Sequence, residues 1–86
     1  MIIDGELMES KDALYAHLNR VFAFPLDFGN NLDALWDALN EENEKTTIEF
    51  VHTNKAIDYL GDYGERLIEL LKKLEKENEH YKIRFL

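Results

Sequence analysis

Two carboxylates, Asp33 and Asp37, stand four residues apart in a stretch with helical spacing. The apolar residues around them recur at intervals of three and four: Leu32, Leu35, Trp36 and Leu39. This spacing predicts one buried side of an α-helix and places the two aspartates together on another side, about 40° apart in rotation and roughly 6 Å in rise. Two neighbouring carboxylates could act as an acid and base pair, bind a cation or contact a basic partner.

Catalysis by this pair is not favoured by the sequence. An acid and base pair needs a sheltered cleft that separates the two pKa values, and no cleft is indicated around two aspartates on a helix surface. The histidines, His17, His52 and His80, fall on different predicted elements and no serine or cysteine nucleophile accompanies them in a recognised motif. We therefore predict a protein that is not an enzyme.

Metal and cofactor binding are not favoured either. The chain has no cysteine, and two aspartates supply two ligands where calcium takes six or more. His17 has no second ligand at metal-binding spacing, so we expect an ordinary, partly exposed imidazole. The sequence predicts no metal and no cofactor.

Net charge narrows the class of partner. The chain carries 18 acidic and 10 basic residues, a formal charge of −8. Nucleic acid and anionic membrane would be repelled by this charge, whereas a basic protein would be attracted. In so acidic a chain, however, the aspartate pair is also typical of an ordinary solvated surface. Asp33 gains from the helix N-terminus, but Asp37, one turn later, does not.

The remaining pattern predicts three strands separated by pairs of helices. Three helix starts have a capping residue: Ser10 for the first helix, Asn30 or Asn31 for the second, and Asn54 for the third. Gly29 can take a positive φ before the second helix, and Gly61 and Gly64 bracket a turn. The predicted strands are Met1 to Asp4, Thr46 to His52 and Tyr81 to Leu86. The predicted helices are Lys11 to about Phe22, a helix through Leu39, a short helix that follows Asn54 and ends at Tyr59 or Leu60, and Glu65 to about Asn78.

This order, β-α-α-β-α-α-β, favours an α/β fold with a small three-stranded parallel sheet, right-handed connections and helices covering the sheet. We expect the first strand to lie between the other two. The 86 residues make one domain, residues 1–86. The N-terminus has no signal-peptide pattern and no segment has the apolar length of a membrane span, so we expect a cytoplasmic protein.

The stretch from Phe24 to Leu39 closely resembles the barstar-type intracellular ribonuclease inhibitors. The resemblance rests on a proline, an aromatic–glycine pair and an ungapped run: Phe24-Pro25, Phe28-Gly29, Asn31-Leu32-Asp33-Ala34-Leu35-Trp36-Asp37 and Leu39. It extends more loosely over the rest of the chain through element order and length. The barstar-like fold has the arrangement that the pattern predicts.

The resemblance implies an inhibitor of a small secreted microbial ribonuclease, acting in the bacterial cytoplasm as an immunity protein. Asp37 would enter the enzyme's phosphate-binding pocket, and Asp33 would pair with neighbouring basic groups. Gly29, Asn31 and Trp36 would shape the rest of the contact, although Trp36 also lies on the apolar side of the helix. We expect a free monomer that forms a 1:1 heterodimer.

Three positions depart from the family. Asp27 stands where the family has an interfacial tyrosine two positions before the glycine. Lys73 aligns best with a contacting glutamate, with Glu75 close by, and Glu42 replaces an aromatic residue. These departures keep an alternative open, a barstar-fold module that binds another basic protein without inhibiting a ribonuclease. A self-associating domain is disfavoured by the net charge.

Overall fold

The computed structural model describes residues 1–86 and contains three strands and four α-helices. The elements are β1 (Ile2–Asp4), α1 (Lys11–Phe22), α2 (Leu32–Asn40), β2 (Thr46–Val51), α3 (Thr53–Leu60), α4 (Asp62–Glu77) and β3 (Tyr81–Phe85). A single 3₁₀ turn, Gly5–Leu7, follows β1. The predicted order of strands and α-helices is confirmed. No helix has the length and apolar character that crossing a membrane would require.

The sheet is parallel, as predicted, but its central strand is β2 and not β1. Ile3 pairs with Phe50 on one side of β2, and Ile48 pairs with Ile83 on the other. Ile48 and Phe50 of this central strand are both fully buried. β1 has three residues, and its Ile2 side chain is 57% exposed. The prediction that β1 is central was therefore wrong.

The helices cover one face of the sheet. On β2, Ile48 and Phe50 point into the core, whereas Thr47 between them is exposed. The opposite face carries charged groups of neighbouring strands, including Arg84 of β3, whose Nη1 lies 3.4 Å from Glu49 Oε2. This alternation is typical of a sheet with one face in contact with solvent.

Helix α1 begins as predicted, with Ser10 Oγ accepting a hydrogen bond from the Ala13 N–H. The expectation of a partly exposed His17 was wrong, because the ring is buried on the same side of α1 as Leu14 and Leu18. Its Nε2 accepts a hydrogen bond from the Asp4 N–H at 2.9 Å. Burial, with a contribution from Arg20, lowers the pKa of His17, which favours the neutral ring that this bond requires.

The boundary between α3 and α4 also differs from the prediction. Helix α3 begins at Thr53, after His52, so Asn54 is not its cap. The turn is made by Gly61 alone, whose φ is +58°. Gly64 lies inside α4, where a Cβ would be 2.6 Å from the Ala56 carbonyl oxygen. Gly64 is therefore required for close packing of the two helices and not for a turn.

Near its C-terminal end, α4 also contacts the last strand. Glu75 Oε2 accepts a hydrogen bond from the Ile83 N–H of β3. This contact uses the Glu75 carboxylate within the fold.

Candidate partner-binding site

Helix α2 is fixed at its start by Asn31, one of the two predicted caps. Asn31 Oδ1 accepts from the Ala34 N–H at 2.8 Å, and its Nδ2 donates to the Gly29 carbonyl at 3.1 Å. The positive φ expected at Gly29 is found instead at Asn30, with φ +49°. Asparagine tolerates this left-handed conformation better than most residues. Both hydrogen bonds tie the preceding loop to the first turn of α2.

The two aspartates of α2 lie on its exposed side. Leu35 and Leu39 are each 1% exposed and turn toward the core, whereas Asp33 and Asp37 are exposed to solvent. Neither carboxylate takes part in an intramolecular ion pair. The helix therefore holds two carboxylates, one turn apart, that remain available to a partner. We call the exposed side chains of Asp33 and Asp37 the acidic face.

The loop before α2 is held by stacked aromatic rings. Phe24 stacks on Phe28 with 4.3 Å between ring centroids and on Phe22 with 5.3 Å. Phe28 in turn lies 6.1 Å from the Tyr15 ring of α1. The rings form one continuous row and fix the base of the loop against the body of the protein.

The tip of this loop projects into solvent. The Phe28 N–H donates to the Pro25 carbonyl at 3.0 Å and closes a tight turn. The two residues inside the turn, Leu26 and Asp27, are exposed, and Leu26 is as accessible as in an extended chain. Asp27 thus adds a carboxylate at one border of the α2 surface. The exposed Leu26 was missed by the sequence reasoning, because a leucine next to a proline carries no signal that separates a turn tip from a buried position.

The other border of the acidic face is helix α4. Lys73 Nζ lies 5.3 Å from the centroid of the Trp36 ring, within cation–π distance. A shallow groove between α2 and α4 contains both residues, together with Asp33, Leu70 and Arg66. Arg66 was not singled out by the sequence reasoning. Arg66 is far from α2 in the sequence, so no sequence pattern indicates that the two lie close together in the fold.

The structure shows the core role of Trp36, and its role in partner contact stays a prediction. The ring is partly buried and packs against the core, but it also lines the groove that Lys73 borders. The Glu75 carboxylate is engaged with β3. Of these two residues, Lys73 is the one beside the Trp36 ring, and its equivalence to the family's contacting glutamate stays a prediction.

Glu42 lies beyond the opposite end of α2, in the exposed segment Glu41 to Lys45. Burial, with a contribution from the Glu42 charge, raises the pKa of Tyr81 to about 12. Of the predicted contact residues, the structure brings Asp33, Trp36 and Lys73 together in the groove between α2 and α4. Gly29 and Asn31 lie immediately before α2, and Asp37 is exposed one turn after Asp33. Asp27 lies in the loop before α2 and Glu42 in the segment after it.

A separate cluster of titratable groups lies outside this surface. Asp4, Glu6 and His52 each place one possible metal ligand atom within 4.8 Å of the others. Burial alone would raise the pKa of Asp4, but hydrogen bonds from His52 Nδ1 at 2.8 Å and from the Glu6 N–H lower it. The same bond to Asp4 raises the pKa of His52. Asp4 and His52 therefore bind each other between β1 and the start of α3, as an ion pair when His52 is protonated, and Glu6 contributes its backbone N–H.

Sequence comparison identifies the family of this fold and surface. The family model described as Barstar (barnase inhibitor) matches residues 1–86, the whole chain. Among individually curated proteins, none matches this sequence. The family is one of inhibitors, and its description names a ribonuclease, barnase, as the target. The chain belongs to the barstar family.

Proposed function

We propose that this protein inhibits a small, basic, secreted ribonuclease of the barnase type by covering its active site with the acidic face of α2. The observation that carries the proposal is that Asp33 and Asp37 are exposed on one side of a well-capped helix and have no ion-pair partner within the chain. Like charges at i and i+4 cost a free helix a few tenths of a kcal/mol. An arrangement with this cost is consistent with a surface that serves binding.

The mechanism follows from what a ribonuclease active site must contain. An enzyme that cleaves RNA needs cationic groups that hold the phosphate and stabilise the charge that develops on it. A carboxylate on a rigid helix offers the same groups a negative acceptor. Asp37, in the second turn, would enter the phosphate site and accept charge-assisted hydrogen bonds, while Asp33 would meet basic groups beside it. The net charge of −8 would speed association with a basic enzyme at low salt.

A second candidate is favoured by the border of the site. Lys73 places a cation beside Trp36, where the resemblance to the family implies a glutamate. Asp27 places a carboxylate at the loop tip, where the resemblance implies an aromatic ring. Another basic protein, whose edge matches these charges, is therefore the alternative partner. The acidic face would be used in the same way, but RNA cleavage would be unaffected.

Titration of a barnase-type ribonuclease with this protein tests the proposal. RNA cleavage should fall to zero at a 1:1 ratio, and added RNA should compete with the inhibitor. Asp37→Asn keeps the shape of the side chain and removes its charge, so inhibition should weaken roughly tenfold to a hundredfold, as for one hydrogen bond to a charged group. Asp58→Asn, which removes an exposed carboxylate from α3, is the matched control and should inhibit like the original protein.

Two outcomes would contradict the proposal. The first is the absence of inhibition at micromolar concentration by protein whose fold is verified by circular dichroism. The second is an equal loss of inhibition in Asp37→Asn and Asp58→Asn, which would reduce the effect to net charge alone. Either result would favour the alternative basic partner, to be recognised by a salt-sensitive complex that is independent of RNA.

A further inference from the structure

A cavity of about 250 Å³ lies between the loop before α2 and the C-terminal end of that helix. Its lining combines aromatic rings with two carboxylate residues: Phe22, Phe24, Phe28, Tyr81, Glu41 and Glu42. Sites for drug-sized ligands and cofactors measure roughly 300–1,000 Å³. This cavity therefore suits a single amino-acid side chain better than a whole small-molecule ligand.

The aromatic lining defines one half of the ligand chemistry. Phe24 and Phe28 are stacked at 4.3 Å, and Phe22 continues the stack, so the rings have little freedom to fill the space beside them. Aromatic surfaces bind alkyl chains through apolar contact and organic cations through the ring quadrupole. A neutral apolar group would contact the aromatic rings but would leave the two carboxylates without a partner.

The carboxylates define the other half. Glu41 and Glu42 come at the C-terminal end of α2, where the helix dipole is already negative and no basic residue occurs in the last turn. Neither residue has an ion-pair partner in the chain. The Tyr81 hydroxyl donates to the Leu39 carbonyl, so it does not compensate this charge. Met1 also lines the cavity, and its ammonium group donates to the Thr47 carbonyl. The cavity consequently combines an apolar aromatic wall with two carboxylates that have no ion-pair partner.

We infer that this cavity receives an arginine side chain of the protein partner, with the alkyl stem against the phenylalanine rings and the guanidinium beside Glu41 and Glu42. A guanidinium stacks on aromatic rings and forms paired hydrogen bonds with carboxylates, which a lysine ammonium does less well. The identity of the partner rests on the proposed function, but the chemistry of the cavity does not. The contact would be separate from the acidic face and would add a second basic group to what the partner must present.

The cavity is tested first on the free protein with small probes. Nα-acetyl-L-arginine amide should shift the amide NMR signals of Ala23 and Ala38, which line the cavity. Nα-acetyl-L-citrulline amide, nearly the same shape without the charge, should bind measurably more weakly. Glu42→Gln should weaken binding of the arginine probe about threefold, as for loss of one partly exposed ion pair. Glu44→Gln removes a carboxylate that does not line the cavity and should leave binding unchanged.

The second measurement uses the ribonuclease complex and separates the two proposals. Glu42→Gln should weaken inhibition about threefold, and Glu44→Gln should not. Equal binding of the arginine and citrulline probes, or equal effects of the two glutamine variants on probe binding, would overturn the arginine site. If Glu42→Gln weakens binding of the arginine probe but does not weaken inhibition of the ribonuclease, the arginine of this partner does not occupy the cavity. Failure of Asp37→Asn to affect inhibition, with probe binding intact, would instead reject the proposed function and leave the cavity as assigned.

Discussion

Lys73 of α4 holds its ammonium group 5.3 Å from the centre of the Trp36 ring of α2, at the border of the acidic face. The contact joins two elements that are far apart in the sequence. Its only ion-pair partner, Glu77, lies at 4.0 Å, and both side chains are more than half exposed, so this pair contributes little stability. We therefore expect Lys73 to act on partner association more than on folding.

Replacement of this cation should change the rate of association. Lys73→Glu should speed association with a basic ribonuclease severalfold at low salt, because a charge at the rim of an interface acts mainly on the on-rate. Stopped-flow binding at several salt concentrations measures the effect, which should shrink as salt screens it.

Lys72→Glu is the matched control for this measurement, since it makes the same charge change on α4 but its ammonium lies over Phe85, away from Trp36. An equal rate increase in both variants would show that only the net charge matters. Slower association of Lys73→Glu alone would indicate a partner with a carboxylate at this border.

The aspartate pair should reduce the stability of the free protein. Asp37→Asn removes a like-charge repulsion at i and i+4, so the free energy of unfolding should rise by about 0.2–0.5 kcal/mol. Asp33→Asn removes the same repulsion but also loses a favourable charge at the helix N-terminus, so it should be neutral or slightly destabilising. Urea unfolding of the two variants at low salt gives the comparison. The opposite order would contradict this assignment of the two carboxylates.

Packing of α3 against α4 should not tolerate a side chain at Gly64. Gly64→Ala would place a methyl group 2.6 Å from the Ala56 carbonyl oxygen, a backbone atom that cannot move alone. The expected loss is about 1–3 kcal/mol in the free energy of unfolding.

Gly29→Ala is the matched control. There the added Cβ would lie nearest to two side-chain atoms, at 3.1 and 3.5 Å, and not to a backbone atom. Its effect on stability should stay within about 0.5 kcal/mol. Helix propensity and chain entropy both favour alanine over glycine, so a loss at Gly64 no larger than that at Gly29 would contradict the contact with Ala56 as its cause.

Stability should depend on pH through His17. Its pKa in the folded protein is lowered from the ordinary 6.5, so below about pH 6.5 the unfolded chain binds the extra proton first. The contribution of His17 is therefore fully present above pH 6.5 and is lost as pH falls toward the folded-state pKa. Protonation also removes the acceptor of the Asp4 N–H, a hydrogen bond of about 1 kcal/mol.

His52 should act in the opposite direction. Its hydrogen bond to Asp4 raises its pKa above 6.5 in the folded protein, so its contribution is fully present below pH 6.5 and is lost as pH rises through the folded-state pKa. Urea unfolding from pH 5 to 8 measures how the free energy of unfolding depends on pH. This free energy should fall less steeply toward acid pH in His17→Gln, and less steeply toward alkaline pH in His52→Gln, than in the original protein. Unchanged profiles in both variants would contradict these assignments.

The order of elements could be predicted from the sequence because it depends on local signals. Periodicity, together with caps such as Ser10 and Asn31, fixes where helices begin. Strand order depends on pairing between segments far apart in the sequence, and a short apolar run such as Ile2–Asp4 does not reveal that it forms an edge strand in which only Ile3 is fully buried. Gly64 was misinterpreted for a similar reason, since close approach of two helices and a turn require the same residue.

The site was less predictable than the fold. The placement of Asp33 and Asp37 follows from a helical spacing of four, and it was correct because one helix carries both. Lys73 could be named as a departure, but its contact with the Trp36 ring depends on how α4 crosses α2. The aromatic cavity was not anticipated, because its lining comes from α1, the loop, α2 and β3.

The hydrogen bonds of His17 and Glu75 affect how the sheet meets other molecules. β1 and β3 are its two edge strands, and each has a backbone donor, on Asp4 and on Ile83, that is already bound by a helix side chain. A further strand that tried to extend the sheet would have to displace an imidazole on one side or a carboxylate on the other. At these two positions the edges of the sheet are therefore closed to β-augmentation, the addition of a strand from another chain.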